Sequence, residues 1–321
     1  MERSVPCAAL VLAMFAVGCG GSSTPPGGDD DTGVVPIDSA IGDTGGPPGD
    51  GTVSDTGVPP GDGGCTHQTS GTQAVHIMMQ VTWPGSIGTK PGSGTVNVWN
   101  RSKFSIDAAN AITVTNAACG SVIPDIEETP IAGGNKVQAE FPAALWNSPS
   151  MPTFGGTGTQ TGFDVGATVT IKAAPVLLGL TMTDPNGAWP ALGSVTGVDS
   201  DGDGKIGITS VPKATAGYAQ PPTSLLGGAK ADKLYIASRI TVTTNGTKDG
   251  CDTQKGPATV AAFDNHVIGC HVAGGGECAA ADFKFIDDNR TVYTVTSATF
   301  ESKIVADAAT CDDVRAALPA K

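Results

Sequence analysis

The stretch RTVYTVTSATFES, residues 290–302, alternates regularly between two sets of side chains. In an extended chain one face would carry Val292, Thr294, Thr296, Ala298 and Phe300, and the other would carry Tyr293, Val295, Ser297 and Thr299. β-Branched and aromatic residues of this kind favour a pleated, half-buried surface. The stretch therefore predicts a long β-strand.

Similar runs, separated by turns that contain Gly, Pro or Asn, recur along the chain. They cover residues 74–83, 94–100, 111–117, 136–142, 167–173, 176–182, 233–244, 258–270 and 283–287. The run 283–287 and the strand after it predict a hairpin around Asp287-Asp288-Asn289, whereas the glycine-rich stretch 155–162 is expected to be a loop. We predict an all-β fold, a sandwich or barrel of about ten strands stapled by disulfides, with a short C-terminal helix capped by Thr310.

The N-terminus, MERSVPCAALVLAMFAVGC, contains the short apolar run of an export signal. Its end, Ala16-Val17-Gly18-Cys19, resembles the lipobox of bacterial lipoproteins, and ordinary signal cleavage is the alternative. The resemblance implies that residues 1–19 are a signal peptide, that Cys19 is lipidated, and that Gly20 favours the outer membrane of a bacterial cell envelope. We expect an anchored protein that does not span the membrane.

Residues 20–64 consist almost entirely of Gly, Pro, Ser, Thr, Asp and a few Val, and contain eight aspartates with no basic residue. Such a composition cannot bury enough apolar surface to offset the entropy of ordering, so it predicts a disordered acidic tether. Residues 65–321 are expected to form the β-rich globular domain. The formal net charge is −13 and no basic run occurs, which argues against a nucleic-acid partner.

Six cysteines remain after Cys7 in the signal and Cys19 at the lipobox are set aside. They are Cys65, Cys119, Cys251, Cys270, Cys278 and Cys311. In an exported chain an even number predicts disulfides, here three. Cys270 and Cys278 flank a glycine-rich turn and are expected to pair, which leaves Cys65 with Cys119 and Cys251 with Cys311 as the expected further pairs.

The most chemically specific segment is VDSDGDGKIGIT, residues 198–209. Asp199, Asp201 and Asp203 occupy alternate positions before Gly204, and the carbonyl of Lys205 is a further candidate ligand. The pattern resembles the calcium loops of EF-hand, dockerin and thrombospondin type 3 proteins, and the resemblance implies a structural Ca²⁺ site. Ser210 stands where an EF-hand has its bidentate glutamate. Ile206 is expected to pack the loop onto the core.

Other candidate sites carry weaker signals. His266, Cys270 and His271 are close in sequence, but on a strand His271 points away from the other two, so a paired histidine and a disulfide are expected instead of a shared metal. No catalytic motif for a serine hydrolase or a dinucleotide enzyme is recognisable. The sequence therefore favours a non-enzymatic role.

The expected function is that of a lipid-anchored surface module that binds or scaffolds an unidentified protein or small molecule. A lipocalin-like carrier is the alternative, because a barrel of about eight strands can hold one small ligand. An extracellular hydrolase is a further alternative that no motif supports. An apolar cavity is the feature that would distinguish the carrier from the scaffold.

Overall fold

The computed structural model describes Cys65 and residues 67–86, 88–219, 223–224 and 228–321. The predicted signal peptide, the lipobox with Cys19 and the tether lie outside these described residues and remain predictions. Within the described residues, no helix is long and apolar enough to cross a membrane.

The described chain is built mainly from strands. These are β1 Ser70–Trp83, β2 Gly92–Ile106, β3 Ala111–Val122, β4 Ile126–Glu127, β5 Lys136–Val137, β6 Ala139–Glu140, β7 Thr153–Gln160, β8 Thr168–Ala173, β9 Val176–Leu178, β10 Leu180–Thr181, β11 Thr196–Gly197, β12 Ile208–Pro212, β13 Thr223–Ser224, β14 Lys230–Lys248, β15 Thr253–Val272 and β16 Thr294–Val305. The helices are α1 Ala280–Asp288 and α2 Cys311–Ala317, and short 3-10 turns occur at Pro130–Ala132, Ala143–Asn147 and Leu192–Ser194.

Eight of the described strands pair into a closed antiparallel ring, in the order β1, β2, β3, β7, β8, β14, β15, β16 and back to β1. Closure gives the ring strands a hydrogen-bonding neighbour on both sides, which removes the exposed edges that an open sheet must protect. The prediction of an all-β fold is confirmed, and the structure is of the barrel type.

The strand register places apolar side chains inside the ring. Ile77 of β1 lies opposite Val98 of β2 and Phe300 of β16, and all three are buried. Because side chains alternate along a strand, the preceding residue, His76, points to the outer face, where its ring stacks on that of Trp99. The pairing of the ring strands thus produces an apolar interior. The aromatic side chains on the outer face must be shielded from water by other parts of the chain.

Helix α2 and the residues after it supply this cover over β1, β2 and β3. Trp99 donates its indole N–H to the carbonyl of Leu318 at 2.7 Å, and Val314 is fully buried. The Thr310 side chain accepts a hydrogen bond from the backbone N–H of Asp313, as a helix N-cap does. The predicted C-terminal helix is confirmed.

The predicted strand at 283–287 is wrong, because these residues belong to helix α1. Phe283 and Ile286, three positions apart, pack together against β15, which is the spacing of one helical face. Asp282 accepts the backbone N–H of Ala279 in the first turn, and the Asn289 side chain donates to the carbonyl of Phe285 at the helix end. The hairpin around Asp287-Asp288-Asn289 is therefore absent from the described chain.

The expected loop at residues 155–162 is also largely wrong, because β7 runs from Thr153 to Gln160. Glycine is needed here for close backbone approach. A Cβ atom on Gly158 would lie 2.0 Å from the carbonyl oxygen of Thr170, and one on Gly156 would lie 3.0 Å from the Cα of Ala173. Strand β8 can approach β7 only because these positions have no side chain.

Three disulfides join the six described cysteines, and two of the expected pairings are wrong. Cys270 pairs with Cys278 as predicted, but Cys65 pairs with Cys251 and Cys119 pairs with Cys311. Chain order misleads here because α2 lies over β3, which brings two cysteines together that are 192 positions apart.

The loop lengths predict different stabilisation by the disulfides. In the chain-entropy model, a bond across 192 positions restricts the unfolded chain more than one across 8 positions, contributing about 5 against about 2.5 kcal/mol. We expect Cys119→Ala/Cys311→Ala to lower the free energy of unfolding more than Cys270→Ala/Cys278→Ala, measured by urea unfolding without reductant. Equal losses would contradict this, and peptide mapping would test the pairings directly.

Candidate metal loop and ligand cavity

The aspartate loop lies on the chain between β11 and β12. Gly202, Gly204 and Gly207 all have positive φ, at 78°, 85° and 108°, a conformation that side chains disfavour, so glycine allows the tight winding. One carboxylate oxygen from each of Asp199 and the two following alternate aspartates lies within 4.8 Å of the others. These three side chains could hold a metal ion, as the spacing predicts.

Backbone N–H groups within the loop hold two of the carboxylates. Asp199 accepts from Gly202 at 2.6 Å and from Gly204 at 2.8 Å, and Asp203 accepts from Lys205 at 2.8 Å. Burial acts to raise the pKa of Asp199, but the hydrogen bonds from Gly204 and Gly202 outweigh it, so this pKa is lowered. The loop therefore stabilises the charged form of Asp199.

The middle carboxylate is in a different environment. Asp201 accepts the backbone N–H of Thr209 at 2.8 Å through one oxygen. Its other oxygen, Oδ1, is buried and has no hydrogen-bond partner among the described residues. Burial, together with the neighbouring charges of Asp203 and Asp199, raises the pKa of Asp201. A cation between the carboxylates would give this oxygen a partner and remove the repulsion.

Several residues that support the loop were not recognised in the sequence. Thr209 holds two aspartates at once, because its hydroxyl also donates to Asp203 at 2.6 Å. Ser148 donates its hydroxyl to the backbone carbonyl of Asp201 at 2.7 Å. Glu277 binds the ammonium of Lys205 at 2.7 Å. Only Thr209 carried a local signal, since it is the last residue of the stretch 198–209.

Lys205 and Ile206 follow the three aspartates in the loop. The Lys205 side chain pairs with Glu277, and the role of its carbonyl as a ligand remains a prediction. Ile206 does not pack onto the core, since it is 49% exposed. Ile208, two positions on and 2% exposed, enters the core instead, because the chain joins the sheet only after the turn at Gly207.

A second feature is a cavity of about 600 Å³. Part of its wall comes from the inner face of the ring, including Ile77, Met79, Val98, Ile240 and Val242. Further parts of the wall come from β9, β12, helix α1, the segment 137–141 and several loops. Most of the wall is therefore aliphatic or aromatic.

Polar side chains interrupt this apolar wall at several places. Ser238 of β14 and Asn265 of β15 are directly opposite each other in the strand register and both line the cavity. Asn100 of β2 lines it as well. Within the described part of the chain, none of these three side chains has a hydrogen-bond partner, so their polar atoms are available to a bound molecule.

His266, Cys270 and His271 do not converge, as predicted. The Nδ1 atom of His266 lies 3.0 Å from Oδ2 of Asp287, and Nε2 lies 3.2 Å from the guanidinium of Arg290. His271 pairs with Asp232, and Cys270 lies in a disulfide.

Asp287 ties helix α1 to β15. Its second oxygen accepts the backbone N–H of Val267 at 2.9 Å. Burial acts to raise the pKa of Asp287, but hydrogen bonds from His266 and Val267 outweigh it, and the pKa is lowered. The cluster therefore fixes the α1 part of the cavity wall.

Comparisons with family models, with curated proteins and with solved structures find no match for this chain.

In the cation-free protein, folding raises the pKa of Asp201, chiefly through burial. Because this pKa is higher in the folded than in the unfolded protein, ionisation of the carboxyl opposes folding. The free energy of unfolding therefore falls as the pH rises from the pKa of the unfolded state to that of the folded state. Asp201→Asn keeps an acceptor for Thr209 and removes the charge. At pH 7 with chelator we expect the variant to melt at a higher temperature than the wild type, by a small margin because solvent screens this carboxyl.

The same substitution should remove the rise in melting temperature that divalent cations produce in the wild type, because a carboxylate ligand is lost. Asp164→Asn, at an exposed position outside the loop, is the matched control. An Asp201→Asn variant that melts lower in chelator and still gains stability from cations would exclude the proposed geometry.

Proposed function

We propose that the chain is an exported binding protein that carries one small, largely apolar molecule in its cavity. The volume of the cavity, about 600 Å³, carries this proposal. It falls within the range of about 300 to 1,000 Å³ that is typical of small-molecule sites. Protein interiors are otherwise packed about as densely as organic crystals, so an apolar space of this size favours the carrier over the scaffold.

The composition of the wall supports a ligand with little charge. Ligand pockets are commonly apolar with a few polar groups that orient the bound molecule, and here Asn100, Ser238 and Asn265 fit that description. The ring walls are tied together by strand pairing, so the space does not have to form when the ligand arrives. A preformed site reduces the entropy cost of binding.

The predicted signal peptide and tether fit a carrier that is held at a membrane. Lipidation at Cys19 would hold the protein at the outer membrane, and residues 20–64 would let the carrier domain reach away from the surface. A flexible chain of about 45 residues has a root-mean-square reach of roughly 35 to 40 Å. The domain could then take up or release its ligand near the membrane without crossing it.

We further propose that the aspartate loop holds Ca²⁺ in a structural role. The available side-chain ligands are all oxygens, which suits hard cations such as Ca²⁺ and Mg²⁺. Ca²⁺ tolerates irregular coordination by six to eight oxygens, whereas Mg²⁺ requires a nearly ideal octahedron. The loop also lies beside β12, so a bound ion would stabilise one part of the cavity wall.

A cavity-filling variant tests the carrier proposal. Val242 is buried and lines the cavity, and Val242→Trp places a large ring in that space at a cost of about 1 to 3 kcal/mol from overpacking. Native mass spectrometry of the full chain purified from its host should show a bound small molecule in the wild type and not in this variant. The neutral fluorescent probe N-phenyl-1-naphthylamine should bind the variant at least tenfold more weakly.

Thr243→Trp is the matched control, because it adds the same ring at the next position of β14, on the opposite face of the sheet. It should leave probe binding unchanged. Probe binding that is equal in the wild type and in Val242→Trp would place the probe outside the cavity and remove the support for a carrier.

Calcium should stabilise the protein more than magnesium does. With a dissociation constant of about 10⁻⁴ to 10⁻³ M, typical of extracellular modules, 10 mM Ca²⁺ contributes about 1.4 to 2.7 kcal/mol. This corresponds to a rise in melting temperature of about 3 to 10 °C, measured by scanning calorimetry against a chelator. Identical melting in chelator and in Ca²⁺ would remove calcium from the proposal, and an equal rise with Mg²⁺ would leave the ion unassigned.

A further inference from the structure

We propose that the ligand is a neutral molecule with a hydroxyl or carbonyl group that binds Ser238 and Asn265. The inference rests on the proposed function, since it concerns the same cavity, and it names the chemical class of the ligand. Ser238 and Asn265 are directly opposed on β14 and β15, and side chains in such pairs lie about 5 Å apart at Cβ. They therefore form a compact polar pair.

The polar pair can form hydrogen bonds with an uncharged oxygen atom of the ligand. A serine hydroxyl and an asparagine amide can each donate and accept a hydrogen bond, so together they can bind an alcohol or a ketone. The surrounding wall is apolar, since Leu178 lies opposite Ser238 and Ile236 and Ile240 flank it on the same face of β14. A hydrogen bond in such surroundings is stronger than in water, and a missing partner is costlier.

The charges of the cavity wall argue against a carboxylate ligand. Among the described residues of the wall, Arg290 is the one lysine or arginine side chain, and it is already paired with Asp287 and with His266. Two carboxylates, Glu128 and Asp232, also line the cavity. A buried anionic head group at the polar pair would therefore lack a free cation.

The carboxylates of the wall do not supply a site for a cation at the polar pair. Asp232 is bound to His271 at 2.7 Å, and it lies six residues from Ser238 along β14, about 20 Å in an extended strand. Glu128 accepts two hydrogen bonds from Asn135. The head group that Ser238 and Asn265 can bind is thus neutral.

A matched series of ligands with the same ten-carbon chain tests this inference on the full chain. Decan-1-ol, decan-2-one, decanoic acid and decylamine are compared at pH 7.5 by their displacement of N-phenyl-1-naphthylamine. We expect the alcohol and the ketone to bind at least tenfold more tightly than the acid and the amine. Ser238→Ala and Asn265→Leu should each reduce this preference about tenfold, while the affinity for the neutral probe changes little.

Ser297→Ala, at an exposed position of β16, is the control and should leave the preference intact. Melting curves establish that the variants fold. An acid or amine that binds as tightly as the alcohol would overturn the inference but leave the carrier proposal standing. Displacement by none of the four compounds, together with unchanged probe binding in Val242→Trp, would overturn both.

Discussion

The antiparallel pairing of β14 with β15 is the interaction on which the rest of the structure depends. Strand β15 also pairs with β16 through residues 253–258, which closes the ring. The other edge of β14 pairs in turn with β13, β12, β9 and β8. One long hairpin therefore supplies hydrogen bonds both to the ring and to the strands that extend the cavity wall beyond it.

Strand β12 connects the metal loop with the cavity. Ile208 and Ser210 line the cavity from one face of the strand. Thr209, which alternation places on the opposite face, binds Asp201 and Asp203. A cation in the loop and a ligand in the cavity would thus act on opposite faces of the same strand, and both would favour its docking against β14.

Two local patterns in the sequence were misleading, for different physical reasons. Residues 283–287 have aromatic residues at alternate positions, as a strand does, but Phe283 and Ile286 also satisfy helical spacing, and packing against β15 decides between the two. Residues 155–162 are rich in glycine, which is typical of loops. In β7 the same glycines allow the backbones of two strands to approach, a need that no local pattern reveals.

The sequence by itself determined the all-β class, the C-terminal helix, the Cys270–Cys278 bond and the clustering of the three aspartates, because each depends on residues close together in the chain. Only the tertiary structure decided the closure of the ring, the Cys65–Cys251 and Cys119–Cys311 pairings, and the cavity with its polar pair. These features depend on which strands become neighbours. Contacts between residues as far apart as 192 positions are set by the packing of the whole sheet, and local alternation carries no information about that order.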